Sequence, residues 1–196
     1  CVNHNAFLNM MDGALSGKTG FTGDAGYCYV GALRQGDRTC IVALLACGWP
    51  NHKTYKWVDT RKLMEYGLKN YSWQNIYKEV SLQPVKVFEG QPAGERYDPY
   101  AEVTVELEMK KKDGEETDGE LSEELNYLLC AEDEVRIDVS YAGTLQAPVA
   151  KGMKAGSVIY RVNGEAVQEF ELVLKKDVAR KNWRYMGMYI LQEYLL

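Results

Sequence analysis

The distribution of apolar and polar residues changes character along the chain. Ala14 to Thr19 reads as a short strand, and Gly20 to Gly26 as a glycine-rich turn. Tyr27 to Leu33 (YCYVGAL) and Arg38 to Ala46 (RTCIVALLA) are β-rich runs on either side of Arg34-Gln35-Gly36-Asp37, a signal for an antiparallel hairpin. The second run is almost wholly apolar, the pattern of a strand covered on both faces. Gly48-Trp49-Pro50-Asn51 breaks this pattern. Lys53 to Asn70 then carries Trp57, Val58, Leu63, Met64 and Leu68, which predicts an amphipathic helix packed on a sheet, with Gly67 as its stop.

Beyond Tyr71-Ser72-Trp73 the period shortens to two. Ile76 to Phe88, Ala101 to Met109, Val135 to Tyr141, Ser157 to Val162 and Phe170 to Leu174 alternate polar with apolar and are divided by Gly and Pro. Short strands without a long helix among them predict an all-β sandwich. Lys110 to Glu124 is charged and glycine-bearing, as in a solvated hairpin loop. Val162-Asn163-Gly164-Glu165 is a type I′ turn signal. Val178 to Leu196 reads as a helix with Trp183, Met186, Ile190 and Tyr194 along one side and Arg180, Lys181 and Arg184 near its start. From pattern alone, this helix suits a membrane interface as well as it suits packing on its own domain. The expected organisation is α+β with an added sandwich. Residues 1–73 are expected to hold antiparallel strands and a packed helix, 74–177 the sandwich, and 178–196 the terminal helix.

Composition narrows the class. The chain has 196 residues, 46% hydrophobic and 26% charged, with net charge −5. Its pI near 5.2 provides no basic field for nucleic acid. No apolar run is long enough to span a bilayer. The opening CVNHNAFLNMMDG lacks the blocks of a signal peptide and does not begin with Met, so the native N-terminus is expected elsewhere. The five cysteines include no C-x-x-C, and His4 and His52 are the sole histidines. Neither a metal site nor a cofactor is indicated, and Cys28, Cys40 and Cys47 are expected as small buried strand residues.

The chemistry lies in SGKTGFTGDAGYC, Ser16 to Cys28. A phosphate-binding G-x-x-x-x-G-K-[ST] loop would need glycine at position 12, which is Asp12, and a helix after the motif, where turn and strand are expected. The other reading is a Lys-Thr-Gly strand lining a serine acyl-transfer cleft. There a cation holds a carboxylate-bearing substrate and biases proton transfers. A neighbouring hydroxyl hydrogen-bonds the carboxylate, and a residue without a side chain lets substrate lie against the strand. Lys18, Thr19 and Gly20 supply these in order.

Asn3-x-Asn5, Gly17-Lys-Thr-Gly-Phe-Thr, Ala25-Gly-Tyr-Cys, a hairpin, and Lys62-Leu-Met-Glu-Tyr-Gly-Leu together resemble the D-alanyl-D-alanine carboxypeptidases, the low-molecular-mass penicillin-binding proteins. The match runs from Asn3 to about Tyr71. It implies a serine that attacks the bond between two terminal D-alanines of a peptidoglycan stem peptide, with β-lactams acylating the same serine. It also implies that Lys18 joins the polar network around the nucleophile and that Thr19 contacts the terminal carboxylate. The backbone N–H of Phe21 would serve as an oxyanion donor, and Lys56 stands where some members place a carboxylate-binding arginine. The family's C-terminal β-sandwich and membrane-anchoring helix would correspond to the later segments, giving an extracytoplasmic, membrane-associated protein at the bacterial surface.

This chain departs from the family pattern at the nucleophile. No serine here has Lys three positions on or Asn two positions on. The chain is therefore expected to be the C-terminal part of a longer enzyme, inactive alone, and to self-associate or stay bound to its missing half. A non-catalytic β-sandwich scaffold module of the cell surface is the alternative, and a β-lactamase-related hydrolase the lesser one.

Overall fold

The computed structural model describes residues 4–93, 98–109 and 124–195, and is mostly β with two α-helices. The chain divides into two compact units, Cys1–Gln74 with Tyr127–Ala131, and Asn75–Asn126 with Glu132–Leu196.

In the first unit, β1 (Ala14–Thr22), β2 (Gly26–Gln35) and β3 (Arg38–Leu44) form an antiparallel meander. α1 (Tyr55–Asn70) packs on β3 and β2. Strand alternation puts Tyr27, Tyr29, Leu33 and Val42 on the helix side, where Tyr29, Leu33 and Val42 close a core with Phe7 and Met64. β1 runs past the expected end at Thr19, because Gly20 pairs with Cys28 and the Phe21 ring packs at a tilt against Tyr27, 4.5 Å between centroids. The turn shrinks to residues 23–25. β3 stops at Leu44, short of the expected Ala46, whose φ of 52° lies outside strand geometry.

α1 departs further from expectation. Its buried stripe is Lys56, Thr60 and Met64, whereas Val58 and Leu63 are exposed. Gly67 is interior, its Cα side close to Cys40, and the helix ends when Tyr71 N–H donates to the Gly67 carbonyl. Arg38 adds donations from one guanidinium nitrogen to the carbonyls of Leu68 (2.7 Å) and Tyr71 (2.6 Å), which satisfies acceptors left open at a helix C-terminus. β4 (Ser72–Asn75) pairs with β8 (Asn126–Leu129).

The second unit holds two sheets. One is β10 (Leu145–Gln146), β5 (Val85–Phe88) and β6 (Tyr100–Val103), in that order; the other is β7 (Val105–Met109), β12 (Glu165–Leu174), β11 (Lys154–Val162) and β9 (Val135–Tyr141). Of the predicted run Ile76 to Phe88, only the last four residues are strand. Val87 and Val103 of one sheet and Val158, Tyr160, Phe170 and Leu172 of the other are fully buried. The opposite face of the larger sheet is polar: Arg161 pairs with Asp138 and Lys154 with Glu171, both at 2.7 Å. The β11–β12 turn has positive φ at Asn163 and Gly164, as a type I′ hairpin requires. The Asn163 side chain is clamped, accepting from the Glu134 N–H (2.9 Å) and donating to Asp133 (2.7 Å). The charged stretch from Lys110 falls, up to residue 123, outside the described residues.

The terminal helix α2 (Trp183–Leu195) starts later than predicted. Val178 is instead extended and bridges Val149. Asn182 accepts a hydrogen bond from the Tyr185 N–H, as an N-cap does.

Candidate functional site

Lys18, Thr19, Gly20 and Phe21 lie consecutively on β1, an edge strand of the first unit's sheet. Alternation sends their side chains to different faces. Lys18 stands opposite Val30, on the face away from α1, and lines a shallow cavity of about 320 Å³ with Ser16, Val30, Ala32 and Ile41. Its ammonium folds back to donate to the Thr19 carbonyl at 2.8 Å. Thr19, opposite Tyr29, and Phe21, opposite Tyr27, belong to the helix side. Among the described residues nothing lies within 4 Å of the place a Cβ on Gly20 would occupy, so the strand is open to a ligand there.

Lys56 is not the solvated helix lysine that its position on α1 suggests. It is 8% exposed, with its ammonium 4.5 Å from the ring centroid of Tyr27 and 5.0 Å from that of Trp57. Cation–π attraction is the compensation for burial here. Because Phe21 packs on the same Tyr27 ring, the structure brings Phe21 and Lys56 onto one side chain. Lys18 is on the other face of the sheet.

The cysteines also differ from the buried strand positions expected of them. Cys28, Cys40 and Cys47 are free thiols of intermediate exposure. Cys47 lies beyond the end of β3, and its thiol donates to Asp59 Oδ2 on α1 at 3.3 Å. Burial, reinforced by the bond to Asp59, pushes the Cys47 thiol above its ordinary value. The thiol is therefore held protonated, a poor state for a nucleophile. Trp49 closes the same end of the sheet, its indole N–H donating to the Gly23 carbonyl at 2.8 Å. Sequence reasoning missed Tyr27, Tyr29 and Trp49 as organisers of this strand. Tyr27 and Tyr29 being two apart on a strand was the available signal, since it puts both on one face.

Residues 98–180 match the family described as penicillin-binding protein 5, C-terminal domain. The D-alanyl-D-alanine carboxypeptidase DacF of Bacillus subtilis (strain 168) is 21% identical over 182 residues, covering 91% of this chain and 41% of the relative. The crystal structure of the D-alanyl-D-alanine carboxypeptidase DacD from Francisella tularensis superposes with a TM-score of 0.54 at 21% identity, over 91% of this chain and 39% of that one. The chain thus spans about two fifths of the length of these relatives. Residues 98–180 thus match a penicillin-binding protein 5 C-terminal domain, and the chain has distant D-alanyl-D-alanine carboxypeptidase homologues over most of its length.

Proposed function

We propose that this chain supplies one wall of the active site of a serine-type D-alanyl-D-alanine carboxypeptidase, together with that enzyme's β-sandwich domain and terminal helix. The observation that carries the reading is Lys18-Thr19-Gly20 on an edge strand, beside a sheet face that is apolar and bare around Lys18: Ile41 is 74% exposed and Val30 48%. An exposed apolar face of this kind is the mark of a surface that another segment covers. In this reading the covering segment brings the nucleophilic serine, which residues 1–196 do not provide.

The chemistry then runs as two acyl transfers. The serine oxygen attacks the carbonyl carbon between the terminal D-alanines, the C–N bond breaks, and the amine leaves with a proton as free D-alanine. Water attacks the resulting ester and returns the serine hydroxyl. Lys18 supports the proton transfers, and the Thr19 hydroxyl donates to the substrate's terminal carboxylate. The Phe21 N–H faces the oxyanion, a role worth about 3–4 kcal/mol in other enzymes. Lys56, held against Tyr27, contributes positive potential at the carboxylate end of the strand. Peptidoglycan stem peptides ending in D-Ala-D-Ala are the proposed substrates, and β-lactams the inhibitors that acylate the same serine.

A cell-envelope location follows from this role. Among the described residues no helix is long and apolar enough to cross a membrane. α2 is proposed to lie on the membrane surface instead, with Trp183 (81% exposed), Met188, Ile190 and Leu191 outward and Arg180, Lys181 and Arg184 near its start. A second reading, a non-catalytic envelope module, is favoured by the family match being confined to residues 98–180.

A fluorescent penicillin separates the two. The protein extended by the sequence preceding Cys1 in its gene is expected to form a stable covalent adduct, and Lys18→Ala to slow its formation strongly. The 196-residue chain alone is expected to form none. No adduct on the extended protein would sink the enzymatic reading and leave the module.

A further inference from the structure

Tyr29 takes part in an arrangement that the acyl-transfer reading does not use. Its ring is 1% exposed on the helix side of the sheet and lies across a pair of glycines. Gly17 of β1 stands opposite Gly31 of β2, and a methyl group built on either would meet Tyr29 ring atoms within 2.8 Å. Neither glycine has a positive φ, so size, rather than backbone freedom, makes these positions glycine. The ring has little room to move. Phe7 meets it edge-on at 6.2 Å and Trp57 at 4.9 Å, and its hydroxyl donates to Asn5 Oδ1 at 3.1 Å.

The same residue pairs through its backbone with Thr19. Tyr29 therefore holds β1 on both sides of Lys18, by the ladder at Thr19 and by the ring at Gly17. Such a hold matters on this strand. Among the described residues β1 has one sheet neighbour, and its register already shifts between Ala14 and Ser16. A further slip of one residue would exchange the faces of Lys18 and Thr19. An aromatic ring packed over a cross-strand glycine restores the side-chain contact that glycine lacks.

We propose that Tyr29 is a positioning residue. With Gly17, Gly31 and Asn5, it fixes the register that sends Lys18 to one face of β1 and Thr19 to the other. Its consequence for acylation rests on the carboxypeptidase reading; the register itself does not.

Two substitutions test it in the 196-residue chain. Tyr29→Phe keeps the ring and removes the bond to Asn5, and Gly17→Ala forces the ring off the glycine pair. Amide hydrogen exchange from Gly17 to Phe21 is expected to rise about fivefold in Tyr29→Phe and at least about tenfold in Gly17→Ala, with Val42 and Met64 unchanged. Unchanged exchange along β1 overturns the proposal. So does an equal rise at Val42 and Met64, which marks a general loss of stability. If Gly17→Ala fails to fold, Tyr29→Phe decides alone. In the extended protein, Tyr29→Phe is expected to lower the rate constant of penicillin acylation about threefold while the number of titratable sites stays full, since sub-ångström misplacement slows chemistry without unfolding the site. A reduced number of sites with an unchanged rate constant would mean a structural role only. Absence of acylation in the unsubstituted protein would reject the carboxypeptidase reading and leave the exchange result standing.

Discussion

The sheet of the first unit and the four-stranded sheet of the second each leave one face open, and they furnish it in opposite ways. In the second unit that face carries Arg161 on Asp138, Lys154 on Glu171, and the paired hydroxyls of Ser140 and Ser157 at 3.0 Å. In the first unit it carries Val30, Ala32 and Ile41, with Lys18 at the edge. One face is finished for water; the other has the composition of a surface awaiting cover. A bare apolar face costs little in the fold that bears it but leaves that fold prone to association, so stability and solubility are expected to separate between the units.

The largest test is in the closed core. Phe170→Ala removes a buried ring that meets Tyr160 edge-on at 5.8 Å, and is expected to cost about 3–5 kcal/mol in denaturant unfolding. A loss below about 1 kcal/mol would break the picture of a well-packed second unit. Lys56→Ala comes next. It removes both the alkyl stem and the cation from Tyr27 and Trp57, for an expected loss of about 1–2 kcal/mol. The same change at the exposed Lys62 serves as the control, with an expected effect near zero.

The two units share one feature that pH can reach. Burial pushes the phenols of Tyr29 and Tyr160 above the ordinary tyrosine value. The fold therefore holds these protons more tightly than the unfolded chain does. The associated stability is present below about pH 10 and is lost as pH rises from there through the raised values. Thermal melting followed into the alkaline range should show the decline. Tyr29→Phe should flatten it in the first unit alone, and an equal decline in that variant would exclude Tyr29 as a cause. The smallest change in stability is expected from Ile41→Ser on the bare face, within about 0.5 kcal/mol. Its sharper reading is sedimentation, where self-association at high concentration should fall.

The sequence spoke plainly where local rules governed. The Asn163-Gly164 turn, the β2–β3 hairpin and the alternation of β9, β11 and β12 follow from turn chemistry and the period of two. It misled where packing overrode pattern. Lys56 looked polar and is buried, because two aromatic rings receive its cation. Val58 and Leu63 looked like core and are exposed, because α1 turns the Lys56, Thr60 and Met64 stripe inward. At the site, residue type and order marked Lys18 through Phe21. The glycines around them gave no hint that Gly17 and Gly31 make room for one ring. That depends on which residues face each other across strands, and so on register, which composition does not carry.

The clamp on Asn163 also bears on how the protein ages. An asparagine followed by glycine is a common site of spontaneous deamidation, in which the Gly164 nitrogen attacks the side-chain amide carbon. Here that amide is tied at both ends, to the Glu134 N–H and to Asp133, which restrains the rotation that the attack requires. Once the amide is lost, a new carboxylate would face Asp133 without a donor between them. The folded turn thus protects itself chemically: the rise of about one mass unit on storage is expected to be slower in folded protein than in unfolded chain, and equal rates would show that the clamp gives no protection.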